Sequence, residues 1–456
     1  MKYKVILLLI PLIACLYGGP KWKKYNFVWE KQYDFNRKAD IAEYAVTSKK
    51  GDLFVLGSGR KKTDIDMDGG HNIKMYWILK KFSPKGKEDI KKWNKEIEIN
   101  FFDSEAHLAI DRNDNIYVVG KGYGSLDGQR CISWWVKRYS PDGKEDAEHW
   151  GDKIIRNDSL YILSSIDVDN KNNLYVGGRD RVEIEEVRDT GDKEELWWVK
   201  KYSDHGIEDE NWNKKNDNGN NDSLSRIAVD KKNNVYLSGI GSMAAGGKRG
   251  SYSWIRKYNE NGVEDKNWNK RFGFDQNLIY SIIILIDSNN NVYVVGTFRD
   301  SSNYDDTLCI KKFSEDGVED GSWDKKYIRD NGFDLNSAAI DKYDNIYVAG
   351  YGYNLVAVRS GFNMWIRKIG FDGKEDMEKW DKKIDNNEKW SMAHGIAIDI
   401  FNDVYVVGEG ADLVAQRSEK EEDMLRDPNL SHEEKLKIYQ KSSSSDWWIL
   451  KFRGDK

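Results

Sequence analysis

Leu108-Ala-Ile-Asp-Arg-Asn-Asp-Asn-Ile-Tyr-Val-Val-Gly120 is the stretch on which the fold turns. Three apolar residues run into Asp111, a polar turn follows through Asn115, and Ile116 to Val119 is β-branched and aromatic up to Gly120. Short runs of this kind, bounded by Asp, Asn and Gly, read as two strands joined by a tight turn. The block returns at 166–178, 227–239, 285–296, 338–350 and 396–408, and a degraded copy occupies 45–57, making seven.

Two further blocks keep the same rhythm. Trp134-Trp-Val-Lys-Arg-Tyr139 is matched at 77–82, 197–202, 254–258, 309–313, 365–369 and 447–452. A Trp-Asn/Asp-Lys-Lys block opens at Trp29, Trp93, Trp150, Trp212, Trp268, Trp323 and Trp380, at intervals of 55 to 64 residues. Each unit thus holds four short strand-like runs and none long enough for a typical helix, and a period of this size marks a repeat architecture. The expected fold is all-β, a seven-bladed β-propeller of four-stranded antiparallel blades. A β-helix has much shorter repeats, and tandem sandwiches need about 100 residues apiece. The strands are named A (Ile-Ala-Val-Asp), B (Asn-Val-Tyr-Val), C (Trp-Ile-Lys-Lys-Tyr) and D (Trp-Asn-Lys-Lys) from the channel outward. Trp29 opens a D block before any A block, and the last unit, 394–452, has no D block. The N-terminal segment 29–35 is therefore expected to complete the last blade and close the ring.

The turns carry their own signals. The fourth position of the A-to-B turn is always Asn or Asp, with Gly51 in the first unit, and these residues tolerate a left-handed backbone. The C-to-D turn carries Gly86, Gly143, Gly206, Gly262, Gly317 and Gly373, each followed after one residue by Glu-Asp. The units resemble the SBBP-type and NHL-like bacterial β-propeller repeats, over roughly Trp29 to Phe452. They depart from that pattern by placing Asn or Asp where it favours Gly in the A-to-B turn. Such families are defined by architecture, so the resemblance implies a fold and leaves function open.

Composition narrows the function classes. The 456 residues are 39% hydrophobic, 33% charged and 13% aromatic, with 18 Trp, which excludes wholesale disorder. A net charge of -5 argues against nucleic acid as a partner, and three cysteines cannot build a disulfide scaffold. Lys2 and Lys4 precede an apolar run from Val5 to Leu16 that is too short for a membrane-spanning helix. Leu12-Ile-Ala-Cys15 resembles the lipobox of bacterial lipoproteins, which implies lipidation of Cys15 and cleavage ahead of it. The expected organisation is a signal peptide at 1–14, a lipidated tether at 15–28, the propeller at 29–452 and a tail at 453–456. An insert at 409–446 contains Ser431-His-Glu-Glu434, a capping box that opens a short helix. The location expected from this is the bacterial cell envelope, at the outer membrane or cell surface rather than the cytoplasmic membrane, with the chain a monomer.

Strands alternate in direction, so the A-to-B and C-to-D turns share one uniform face. The long variable connections at 58–75, 121–133, 179–196, 240–253 and 409–446 share the other. Residues four and five positions before the strand-A Asp should ring the channel mouth on the variable face. They include Glu43, Tyr44, His107, Ser165, Arg226, Asn336 and His394, mostly polar where the strand behind them is apolar. Trp390, outside the repeat positions, is a candidate for stacking on a sugar. Asp64, Asp66 and Asp68 with Gly69 match the first half of a calcium loop, but Met75 stands where its bidentate Glu belongs, so a solvated acidic loop is the competing reading. No other cofactor is expected. His-Glu-x-x-His, paired zinc-spaced Cys, Gly-x-Ser-x-Gly and the phosphate loop are all missing. The repeated Glu-Asp pairs read as turn chemistry, since catalysis needs one asymmetric site.

These observations favour a non-enzymatic, membrane-anchored extracytoplasmic lipoprotein that presents a binding face to protein or glycan partners. The alternatives are a propeller enzyme, lyase or glycan hydrolase, acting at the channel mouth with Glu43, Tyr44, Arg226 and the two His as its acid and base, or an architectural envelope protein.

Overall fold

The computed structural model describes residues 26–455 apart from 36–39, 66–70, 100–105, 127–128, 152, 157–161, 184–192, 216–221, 246–247, 273–277, 300–305, 324, 330–332, 354, 356–360, 385, 387–388 and 412–444. The described strands form seven four-stranded antiparallel sheets, the blades of a propeller. The inner strands, in blade order, are Ile41–Thr47, Ala106–Ile110, Ile162–Val168, Asp222–Val229, Leu278–Ile286, Phe333–Ile340 and Ser391–Ile398. β1, Phe27–Tyr33, lies outermost in the seventh blade and pairs with Ser445–Phe452 from Phe27↔Phe452 to Tyr33↔Trp447. The ring closes as the order of the blocks anticipates. No described helix is long and apolar enough to cross a membrane. Cys15 and the 431–439 capping box lie outside the described residues.

The Trp-Asn-Lys-Lys block differs from expectation in four blades. Trp93, Trp150, Trp212 and Trp323 end one-turn helices, Ile90–Trp93, Ala147–Trp150, Glu210–Trp212 and Gly321–Trp323, and strand D starts only after them. The cause is the preceding Asp: the carboxylates of Asp89, Asp146 and Asp209 accept N–H groups of Lys92, His149 and Asn211, capping the turn. The Glu beside it pairs with a cation of strand C, as Lys80–Glu88, Lys137–Glu145, Lys200–Glu208 and Lys311–Glu319 at 2.5–2.6 Å. Both halves of Glu-Asp therefore serve the blade.

The A-to-B turn is held by its first Asp. Asp230 Oδ1 accepts from the amides of Lys232 and Asn234, and its Oδ2 accepts from Asn234 Nδ2. The same pattern recurs at Asp111, Asp169 and Asp287. The fourth residue is left-handed throughout: Asp114, Asn172, Asn233, Asn290, Asp344 and Asn402 have φ between 61° and 69°, and Gly51 has 78°. The structure also explains why glycine is not used. Asn172 Oδ1 accepts the amide of Arg112, Asn233 Oδ1 that of Asn170, and Asp114 Oδ1 that of Lys49, each in the preceding blade. The residue that permits the turn is thus also a stitch between blades.

Aromatic packing runs within each blade and on to the next. Tyr175 meets Trp212 edge-on at 4.9 Å inside the third blade, Tyr236 meets Trp268 at 5.0 Å inside the fourth, and Tyr347 meets Trp380 at 4.8 Å inside the sixth, while Trp212 faces Tyr258 of the following blade at 5.8 Å. The indole N–H then reaches forward, Trp150 to the Asp204 carbonyl, Trp212 to Glu260 and Trp268 to Glu315, at 2.7–2.9 Å.

Asn233→Gly should keep the turn but lose the stitch, costing about 0.5–1.5 kcal/mol, while Asn233→Ala should cost roughly 1–2 kcal/mol more because it also strains φ. Urea unfolding of both variants orders them; a glycine variant as stable as wild type would refute the stitch, and equal costs of the two would refute the strain. Deleting residues 27–33 leaves the seventh blade with three strands and should abolish the cooperative unfolding transition, read by calorimetry.

Candidate site at the channel mouth

The inner strands are irregular at one shared level. Pairing with strand B skips a residue between Ala42 and Tyr44, Leu163 and Ser165, Leu224 and Arg226, Leu335 and Ser337, and Ala393 and Gly395. The residues left over are Glu43, Ser164, Ser225, Asn336 and His394. Such bulges re-aim side chains and gather near functional sites. In the fifth blade the skip falls between Ile279 and Ser281, and the residues at the shared level are apolar Ile282 and Ile283, so the ring is asymmetric.

Two nominated residues come together from neighbouring blades. Tyr44 and His107 meet at 4.8 Å between ring centroids with their planes tilted by 42°, and Tyr44 Oη is 3.5 Å from His107 Nε2. Arg226, from the fourth blade, acts on them through its charge. Burial first, and the Arg226 charge second, push the His107 pKa down to about 3, while a hydrogen bond to the Leu163 backbone opposes the shift. The imidazole is therefore neutral near pH 7, able to accept a proton or a hydrogen bond at Nε2. Burial also lowers the Arg226 pKa, yet a guanidinium stays charged. Arg226 Nη1 donates to the Ser225 carbonyl at 3.0 Å, and no described carboxylate pairs with it. A half-buried cation without a counter-ion is costly, and an anionic ligand would offset that cost.

The remaining candidates part company. Ser165 Oγ accepts the Ile227 amide at 3.0 Å and Asn336 Nδ2 donates to the Ala393 carbonyl at 2.8 Å, so both tie neighbouring inner strands together. Glu43 Oε1 accepts from Ser58 Oγ at 3.2 Å. His394 Nε2 lies 3.0 Å from Glu409 Oε1 in a separate imidazole–carboxylate pair, and Glu409, buried at the end of strand B, escaped the sequence reading because it stood as the edge of a loop. Trp390 is half-buried, and its carbonyl accepts the Ala411 amide. Asp64 ends up in the strand Leu53–Ile65, and Asp66 and Asp68 lie outside the described residues. Carboxylates of Asp34, Asp40 and Asp446 do converge within 4.8 Å at the seam between the last and first blades. Sequence reasoning missed that trio because Asp446 lies about 400 residues from Asp34 and Asp40 in the chain.

Asp167, deeper on the third inner strand, was also missed. Its Oδ2 accepts the Val229 amide of the next blade, and burial pushes its pKa up to about 6.

No protein-family model and no curated protein matches the chain. Among solved structures, a protein of unknown function from Dyadobacter fermentans is 11% identical, covers 94% of this chain and 99% of its own, and has a TM-score of 0.46. A polysaccharide lyase described as an ulvan lyase is 10% identical over 83% of this chain and 93% of its own, TM-score 0.45. Another polysaccharide lyase is 8% identical over 97% and 95%, also at 0.45. These likenesses extend to architecture alone. The expectation that the chain is not an enzyme does not stand: it rested on missing local motifs, whereas acid–base groups can be assembled from separate blades, as Tyr44 and His107 are.

His107 binds more protons in the unfolded chain between about pH 6.5 and 3, so its contribution to stability is complete above 6.5 and lost on acidification, at up to about 1.4 kcal/mol per pH unit. Asp167 runs the other way: its contribution is complete below about 3.8 and lost as pH rises through about 6. His107→Gln should therefore lose less stability than wild type between pH 7 and 4.5 in urea titrations. An unchanged difference between the two pH values would show that His107 is not held neutral.

Proposed function

We propose that the chain is an extracytoplasmic polysaccharide lyase acting on acidic glycans at the channel mouth, anchored to a membrane through lipid on Cys15. The observation that carries the catalytic reading is Arg226, a guanidinium without a carboxylate partner among the described residues, whose charge acts on the Tyr44–His107 pair from the fourth blade. A uronate carboxylate supplies the missing counter-charge. With that carboxylate held by Arg226, the proton on the adjacent sugar carbon becomes acidic, because the developing enolate charge falls on the guanidinium.

Tyr44 touches the substrate and His107 stands behind it. With the uronate carboxylate beside it offsetting the burial and the Arg226 charge that disfavour an imidazolium, His107 Nε2 takes the proton of the Tyr44 hydroxyl, and the phenolate removes the carbon proton. The electron pair forms the carbon–carbon double bond as the glycosidic C–O bond breaks, and the leaving oxygen takes the proton from Tyr44. His107 then returns its proton to Tyr44. The step consumes no water and no oxidant. Protons balance within the pair.

The partial likeness to propeller lyases supports the fold as a host for this chemistry, and the lipobox supports the anchor. Incubation with uronate-containing polysaccharides should raise absorbance near the ultraviolet band of an unsaturated uronate, and Tyr44→Phe should lower kcat about 100-fold or more. Arg226→Lys should raise KM as well as lower kcat, since the bidentate carboxylate contact is lost. Absence of product across carboxylated polysaccharides overturns the lyase reading. Mass spectrometry of the cell-extracted protein tests the anchor, which predicts a diacylglyceryl Cys15 as first residue.

A further inference from the structure

Nine of the eleven large apolar side chains found exposed among the described residues lie on the uniform face. They are Ile90, Ile207, Val263, Val318, Tyr343, Phe371, Met377, Ile400 and Phe401, in A-to-B turns, in C-to-D turns or just after them. They are not evenly spread. Tyr343, Phe371 and Met377 belong to the sixth blade and Ile400 and Phe401 to the seventh, so five of the nine cover two neighbouring blades. Phe371 is 68% exposed and Phe401 57%, although the positions matching Phe371 are Pro84, Pro141, Asp204, Glu260 and Glu315, and most of those matching Phe401 are Asn or Lys. The blades do not require these residues apolar.

Chain direction brings the N-terminal segment to the same place. β1 belongs to the seventh blade, and its first residue, Phe27, pairs with Phe452 at the uniform end, where Asn26 accepts the Arg453 amide. Residues 1–25 therefore join the propeller beside the apolar patch. Twelve steps from Cys15 to Phe27 span at most about 43 Å, so a lipid on Cys15 holds this edge of the propeller within reach of the bilayer.

We propose that the uniform face of the sixth and seventh blades docks on a lipid bilayer, with Phe371, Ile400 and Phe401 entering the interface. The proposal rests on the lipid-anchor part of the functional reading and specifies what the anchored domain does at the surface. The exposed charges of these turns include Lys342, Asp372 and Lys374 with Lys374 paired to Asp372, so attraction comes from apolar burial more than from charge, and zwitterionic lipid suffices. A lipid chain alone gives weak, reversible attachment, and a second contact makes it firm. Docking at blades six and seven leaves the channel mouth, on the opposite face, open to polymeric substrate.

The test uses full-length Cys15→Ala protein, which has no lipid, with phosphatidylcholine vesicles. Flotation should recover a weakly bound fraction, and adding Phe371→Ser, Ile400→Ser and Phe401→Ser should reduce the partition coefficient about ten-fold or more. Vesicles should also slow amide exchange in the 341–345, 370–376 and 399–403 turns while leaving 230–234 unchanged. Equal flotation of the triple variant and its Cys15→Ala parent, or unchanged exchange, overturns the docking surface whatever the state of Cys15. Protection of these turns that depends on protein concentration and not on lipid also overturns it, and assigns the patch to self-association. Failure of the anchor reads separately, as an unmodified residue 15 in protein extracted from cells.

Discussion

One carbonyl oxygen at each of four blade junctions receives two donors from the blade before it. Asp204 accepts from Arg138 and Trp150, Glu260 from Lys201 and Trp212, Glu315 from Lys257 and Trp268, and Pro84 from Lys451 and Trp29. The last of these joins the seventh blade to the first. Each acceptor sits in a C-to-D turn bent by a left-handed glycine, and the donors Trp150 and Trp212 sit behind turns capped by an Asp. The turn of one blade is thus completed by the side chains of its neighbour. Both lone pairs of each of these carbonyls are used, in a setting where an unmet backbone acceptor would be costly.

That constraint accounts for the composition. A blade that must offer an indole and a cation forward, and an aromatic platform for the indole behind, repeats Trp, Lys and Tyr whatever its ligand. Lysine is usable there because its ammonium lies over a ring as well as against the carbonyl: Lys257 Nζ is 5.3 Å from the centre of Tyr236 and Lys451 Nζ 4.8 Å from Tyr405. The abundance of tryptophan follows from architecture and says nothing about sugars.

The repeated features were legible in the sequence for the same reason. A left-handed position such as Asn233 declares itself by residue type in unit after unit, and Trp29 declares the ring closure by standing alone before the first unit. What repetition could not convey is how a residue differs in role from its counterparts. Ser165 and Arg226 occupy equivalent positions, yet one ties two strands together and the other places a charge across the channel. Glu409 and Asp446 belong to stretches that read as loop, and their partners come from the far end of a strand or the far end of the chain. Such pairings depend on closure of the ring, which no local pattern encodes.

Closure is also what makes an asymmetric centre available on a symmetric frame. Seven equivalent strand ends bring seven side chains to one mouth, and substitution at them leaves the carbonyl junctions untouched, because those junctions lie in the C-to-D turns and in strands C and D. The seven equivalent positions carry Tyr44, His107, Ser165, Arg226, Ile283, Ser337 and Gly395. Ser165 and Ser337 keep a stitching role, accepting the amides of Ile227 and Ile396, and Gly395 yields space where a Cβ would come within 2.7 Å of the Glu43 carbonyl. The first, second and fourth positions are left to carry a phenol, a neutral imidazole and a guanidinium. Their placement is set by the inner strands of one closed ring, so the phenol, the imidazole and the guanidinium are in position before any ligand arrives.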